Sequence, residues 1–208
     1  MTDHATVLPP FHWSGSRRPT QLGAGLALYG VSIALMLAAG LGVDSWDVFH
    51  QGLAERFGLS FGWVVNGVSL FVLLAWIPLR QRPGVGTVAN ALVVGVVADA
   101  ALAVLPQPRW LLWQMMTLVT GIAVNALATG LYIGAGFGPG PRDGLMTGLS
   151  TRTGRSIRLV RTLIELVVLS SGWALGGPVG LGTLVYAVSI GHLTQLSITR
   201  FSISEART

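Results

Sequence analysis

The sequence predicts an all-α polytopic membrane protein: six transmembrane helices forming two inverted three-span repeats, each with a short re-entrant or interfacial helix. Three observations carry this. Hydrophobic residues make up 51% of the 208 positions and charged residues only 10%, against about a quarter charged in soluble domains; the mean hydropathy is +0.65. Six apolar stretches, at 21–41, 61–79, 85–105, 110–135, 157–175 and 181–198, each approach the ~20 residues that cross a hydrocarbon core as a helix. Finally, the chain repeats itself at an offset of 96 residues without a gap.

The elements follow in order. Residues 1–20, MTDHATVLPPFHWSGSRRPT, read as a short disordered cytoplasmic tail. A first membrane repeat occupies 21–105 and a second 109–198, with a short cytoplasmic tail at 199–208. Each repeat opens with one apolar span that ends in glycines: Gly40 and Gly42 in the first, Gly134, Gly136, Gly138 and Gly140 in the second. Pro139 and Pro141 forbid continuation of the second. A polar helix then restarts, with Asp44 or Asp47 available to cap one copy and Asp143 the other. At about 11–13 residues it is ~16–20 Å long, enough to dip halfway through a bilayer or to lie along its surface. Two further spans complete each unit.

The repeat is carried by identities in register. Asp47 falls on Asp143, Gly52-Leu53 on Gly148-Leu149, Arg56 on Arg152, Gly58 on Gly154, Gly86-Thr87 on Gly182-Thr183 and Gly95 on Gly191. Three spans per unit is an odd number, so the second unit starts from the opposite side of the membrane. Inverted repeats of this kind are typical of secondary transporters, with the ligand site near the midplane between the halves.

Arginine placement sets the orientation. The chain has no lysine, and most of its 13 basic residues lie before the first span, between spans two and three, between four and five, or after six. Only Arg56 and Arg109 fall in the alternate loops. The positive-inside rule then places both termini in the cytoplasm. The basic balance encodes topology, and no nucleic-acid partner is expected.

Candidate residues for a substrate or ion path are those that are costly at membrane depth or recur in both repeats. Asp47 with Arg56 and Asp143 with Arg152 sit in the paired broken segments, where acid caps and snorkelling arginines are the alternative reading. Glu165, near the middle of the fifth span, His192, midway along the sixth, and Asp99, toward the outer end of the third, are ionisable groups inside apolar runs. Thr87 and Thr183 belong to paired GxGT starts, which either satisfy first-turn amides or present amides to an anion. The four histidines lack metal-ligand spacing, and there is no cysteine. Without lysine, a Walker A loop is impossible. No enzyme, cofactor or metal is expected.

The stretches WDVFHQGLAERFG, IPLRQRPGVGTVANALVVG with the trailing Asp99, and their counterparts GPGPRDGLMTGL and GLGT resemble the YczE-like branch of the bacterial YczE/YyaS/YitT membrane proteins. The resemblance runs over about 21–198 and implies a bacterial cytoplasmic-membrane protein without a nucleotide-binding domain, for which transport is presumed. It brings no substrate and no catalytic residues. The leading expectation is therefore a small secondary transporter or exporter of a small metabolite, with the bilayer and that solute as partners and a homodimer compatible with six spans. The competing expectation is a non-transporting accessory protein that binds lipid or a cytoplasmic partner through its arginine-rich inner loop at 142–161; a channel ranks third.

Overall fold

A computed structural model describes residues 17–201; the outer parts of both expected tails lie outside the described residues. Eight helices follow one another: α1 (Arg17–Ala39), α2 (Ser45–Phe57), α3 (Phe61–Leu79), α4 (Val85–Val104), α5 (Leu111–Gly134), α6 (Pro141–Thr153), α7 (Ile157–Ala174) and α8 (Leu181–Phe201). Five of them, α1, α3, α4, α5 and α8, are long and apolar enough to cross a membrane. The sixth expected span, α7, is 18 residues long but carries Arg158, Arg161 and Glu165, which lowers its apolar character. α1 also starts before its apolar run: Arg17 and Arg18 form its first turn, and Pro19 sits there at little cost because first-turn amides have no intrahelical acceptor.

α1 and α5 form the antiparallel centre. Gly25 faces Tyr132, where an added Cβ would stand 2.7 Å from the Tyr132 amide nitrogen, and Gly121 faces Met36 in the same way at 2.8 Å. Between these points Asn125 Nδ2 donates to Ser32 Oγ at 2.9 Å. α4 packs on α1 through Gly30, and α8 packs on α5 through Gly130. The two short helices cover the remaining sides, α2 against α7 and α6 against α3.

The 96-residue offset recurs in the backbone. Among the described residues, those with positive φ are Gly40 and Gly136, Gly42 and Gly138, Gly58 and Gly154, and Arg80 and Gly176, four pairs each 96 apart. This region is open to glycine at no steric cost and strains other residues, so the chain reverses at matched places in both halves. Gly58 and Gly154 are the left-handed C-caps of α2 and α6. Ser60 and Ser156 cap α3 and α7 by accepting the Trp63 and Leu159 amides.

Cross-half contacts recur too. The Gly86 amide donates to the Phe137 carbonyl at 2.9 Å, and the Gly182 amide to the Leu41 carbonyl at 2.7 Å. Thr87 and Thr183 accept the Gly84 and Gly180 amides at 3.2 and 3.3 Å, closing the starts of α4 and α8. Each GxGT start thus docks on the glycine break of the other half.

One capping expectation needs correcting. Asp44 caps α2, accepting the Asp47 amide at 2.8 Å, but the cap of α6 is Gly140, with Pro141 first in the helix. Asp143 is the third residue of α6, as Asp47 is of α2. Proline at the first position leaves one orphan amide fewer to satisfy, and the Asp143 carboxylate accepts the Tyr132 hydroxyl in place of a cap amide.

Candidate functional site

The starts of α2 and α6 meet. Arg142, the second residue of α6, reaches across to α2: Nη1 lies 3.5 Å from Asp44 Oδ2, and Nη2 lies 3.4 Å from Asp47 Oδ1. Its guanidinium carbon stands 5.1 Å over the Trp46 ring, within the range of cation–π attraction. On α2, one turn beyond Asp47, His50 Nδ1 is 3.2 Å from the same Asp47 oxygen.

The α2 side of this cluster is buried. Asp47 is 0% exposed and His50 1%. Three of its buried polar atoms have no hydrogen-bond partner among the described residues: Asp47 Oδ2, His50 Nε2 and Trp46 Nε1. Burial raises the Asp47 carboxyl to about 6, although Arg142 pulls the other way. Burial, reinforced by the Arg142 charge, lowers His50 to about 3, so the imidazole is neutral at ordinary pH. Asp44 is raised by burial and by the neighbouring Asp47.

Beside the cluster lies a cavity of about 330 Å³ to which all eight helices contribute. Trp46, Arg142 and Asp143 form one wall, Tyr29 and Tyr132 another, and Ser69, Asn90 and Glu165 approach from α3, α4 and α7. Asp143 Oδ2 accepts the Tyr132 hydroxyl at 3.1 Å. The Tyr186 hydroxyl donates to Asn125 Oδ1 at 3.1 Å, and Tyr29 meets Tyr132 edge to face with centroids 5.8 Å apart. Glu165 is reached by the Ser45 side chain at the start of α2. Several of these residues occupy equivalent slots 96 apart: Trp46 and Arg142, Ser69 and Glu165, Asn90 and Tyr186.

The cavity divides two unequal helix pairs. α3 and α4 are in backbone contact: a Cβ on Gly62 would fall 2.1 Å from the Gly95 carbonyl oxygen. Asp99 accepts the Ser60 hydroxyl at 2.5 Å and the Gly62 amide at 2.7 Å. Asn66 donates to the Leu92 carbonyl at 2.9 Å and accepts the Gly95 amide at 3.0 Å. The equivalent pair, α7 and α8, stands apart. Gly191, in the slot of Gly95, has nothing within 4 Å of an added Cβ and lines the cavity instead.

The sequence candidates therefore separate. Asp143 and Glu165 line the cavity and Asp47 lies directly behind it. Arg56 does not join Asp47: it is exposed in the last turn of α2, and nine residues at ~1.5 Å each place it about 13 Å along the axis. Arg152 Nη1 donates to the Pro78 carbonyl, tying the end of α6 to the end of α3. Asp99 fastens α3 to α4, and His192 is exposed on α8. Thr87 and Thr183 are buried helix caps away from the cavity, and the Gly86 and Gly182 amides are taken by carbonyls and not offered to an anion.

The sequence marks Arg142 only as part of the arginine-rich loop at 142–161, and it does not bring His50, Trp46 or the tyrosines to the site. The available signal was an arginine next to Asp143 at a broken helix start, in the slot of Trp46.

Comparison with known proteins gives one family throughout. A family model described as a family of unknown function, DUF6198, matches residues 16–199. An uncharacterized protein of Haemophilus influenzae is 38% identical over 170 residues, covering 82% of this chain and 78% of the relative. The uncharacterized membrane protein YczE of Bacillus subtilis is 33% identical over 178 residues, 84% of this chain and 82% of its own. The uncharacterized protein YyaS of the same organism is 27% identical over 193 residues, 89% and 96% of the two chains. No solved structure matches. With five membrane-crossing candidates among the described residues, and similar over most of its length to the membrane protein YczE, the chain is a membrane protein of the DUF6198 family.

Proposed function

We propose that this protein is a small secondary transporter or exporter of a small metabolite in the bacterial cytoplasmic membrane, built from two inverted three-span repeats with both termini cytoplasmic. α7 is then the sixth span, with its polar residues Arg161 and Glu165 turned to the cavity. α2 and α6 are half-helices that re-enter and meet head to head near the midplane. Non-helical backbone at that depth is tolerated where it is buried or lines a cavity, which is where the glycine breaks lie.

The observation that carries the reading is the unequal packing of equivalent helices: α3 closed on α4, α7 parted from α8. In the proposed topology the closed contact, at residues 60–66 and 92–99, lies toward the outside. Its open counterpart, at 156–162 and 188–195, lies toward the cytoplasm, so the cavity faces inward. Exchanging the two arrangements between halves closes the inside and opens the outside, which is alternating access. Thr162 occupies the slot of Asn66 and Gln195 that of Asp99, so polar partners for the closing contact are in place.

The chain has no cysteine of its own, which makes the test direct. Thr162→Cys with Gly191→Cys should form a disulfide under oxidation, since closure brings the two Cβ atoms into the ~3.5–4.5 Å range. In proteoliposomes the bond should stop solute exchange and reduction should restore it. No bond, together with no proton-coupled or exchange flux across a broad metabolite panel, would refute the reading.

A further inference from the structure

The charge around the cavity does not balance. Asp44, Asp143 and Glu165 line it and Asp47 lies directly behind, four carboxylates, against the guanidiniums of Arg142 and Arg161. Arg142 is already committed to Asp44 and Asp47. Neither Asp143 nor Glu165 has a guanidinium within 4 Å among the described residues. Helix starts ordinarily favour anions, but here each already has an acid in its first turn. The α2 start is closed by Asp44; the α6 start has no side-chain cap, but its first residue is a proline without an N–H and Asp143 stands in its first turn.

Aromatic side chains also line the cavity. Tyr29, Tyr132 and Tyr186 line the same space as Trp46, and Trp46 already carries a cation, the guanidinium of Arg142, on its face. Carboxylates that have hydroxyl partners but no guanidinium within 4 Å, set beside ring faces, attract ammonium groups. A second, independent feature points to a ligand. Trp46 is 5% exposed, lines the cavity, and its indole N–H has no acceptor among the described residues. A buried donor left open costs free energy that an incoming acceptor recovers.

We infer that the cavity binds a small organic amine in its protonated form, its ammonium held by Asp143 and Glu165 and a hydroxyl or carbonyl oxygen of the same molecule accepting from Trp46 Nε1. This rests on the cavity being the transport site. The amine supplies the positive charge that the carboxylates lack, and the tyrosines replace part of its hydration shell as it leaves water.

The test is equilibrium binding to the detergent-purified full chain, read by thermal unfolding and by tryptophan fluorescence, with ethanolamine as the probe. Acetate, inorganic phosphate and glycerol serve as comparisons at matched ionic strength. Ethanolamine should give a saturable rise in the unfolding midpoint and the others none. Asp143→Asn and Glu165→Gln should each weaken the apparent affinity at least tenfold, Trp46→Phe by less, and Arg56→Gln not at all. Should a cavity variant fail to fold, the wild-type selectivity still decides. Equal shifts with the anions, or no saturable shift with the amine, overturn the inference. Amine binding without flux leaves it standing and refutes transport; flux of an anion without amine binding does the reverse.

Discussion

Arg142 lies over the ring of Trp46 at 5.1 Å, and the two residues are equivalent positions of the two halves, 96 apart in sequence. Each half therefore meets its own counterpart at the centre of the molecule. One copy of that position supplies the aromatic face and the other the cation. A strictly identical pair would have placed two guanidiniums or two indoles together. The divergence of this slot is what lets α2 and α6 join start to start.

Arg142→Gln removes the one guanidinium that, among the described residues, answers two buried carboxylates, Asp44 and Asp47. Breaking a buried ion pair from one side costs about 3 kcal/mol or more. The variant should lose stability by about that amount in thermal unfolding. Adding Asp47→Asn should return part of it, with a coupling of about 1–3 kcal/mol. Strict additivity would show that the pair does not interact.

The pH response of the cluster has two opposed parts. Burial raises Asp47 above its unfolded value, so its contribution is greatest below pH ~4 and is lost as pH rises through about 6. Burial lowers His50, so its contribution is complete above ~6.5 and is lost as pH falls toward about 3. Arg142 on α6 and Glu165 on α7 face the same site. Between pH ~4 and ~6.5 the two trends offset each other. His50→Gln should therefore become more stable on acidification over this window, and Asp47→Asn less stable. Parallel pH profiles for the two variants would contradict the assignment.

Gly144 is where α6 presses on Trp76: an added Cβ would lie 1.9 Å from Trp76 Cζ2. That indole is 2% exposed and anchored by its own hydrogen bond to the Pro141 carbonyl at 3.0 Å, so it has no room to yield. Gly144→Ala should cost about 3 kcal/mol by overpacking. Gly23→Ala in α1, where nothing lies within 4 Å, should gain about 0.5–1 kcal/mol in helix propensity. Unfolding midpoints of the two alanine variants on either side of wild type check both.

Arg80 is the left-handed C-cap of α3, at φ 55°, in the slot that glycine fills at position 176. A left-handed arginine costs about 1–2 kcal/mol, and glycine returns about 0.5–1 kcal/mol of that as unfolded-chain entropy. Arg80→Gly should raise the unfolding midpoint by the equivalent of about 0.5 kcal/mol. A lower midpoint would show that the arginine side chain contributes more than its backbone costs.

Much of the helical framework was legible because hydropathy marks helices that face lipid. The starts of α3, α4, α7 and α8 fall where their apolar runs begin. The offset of 96 was legible because glycine turns and GxGT starts keep their residues under a steric requirement. Arg80 and Gly176 meet the same backbone requirement with different residues, so sequence identity hid that pair. The cluster was hidden for a related reason. Its chemistry lies between non-identical equivalents, Trp46 with Arg142 and Asp44 with Gly140, whereas identity drew attention to Arg56 and Arg152. Those two lie at the far ends of the short helices, where an arginine can reach solvent or a free carbonyl. Asp99 read as an ionisable group inside a span, but its partners are the hydroxyl and amide at the start of α3, which only the fold brings near.

The Asp47–Arg142 contact joins residues 95 apart, and this has a consequence for biogenesis. When α2 leaves the ribosome, Asp47 and the preceding Asp44 have yet to meet Arg142. At ~5–20 residues per second, about 5–20 s pass before Arg142 is synthesised. α1 waits similarly for α5. The N-terminal half therefore lacks, until the second half arrives, the guanidinium and the α5 packing that complete it. A chain truncated near residue 108 should be a short-lived substrate for membrane proteolysis, and supplying residues 109–208 as a separate chain in the same cell should lengthen its life.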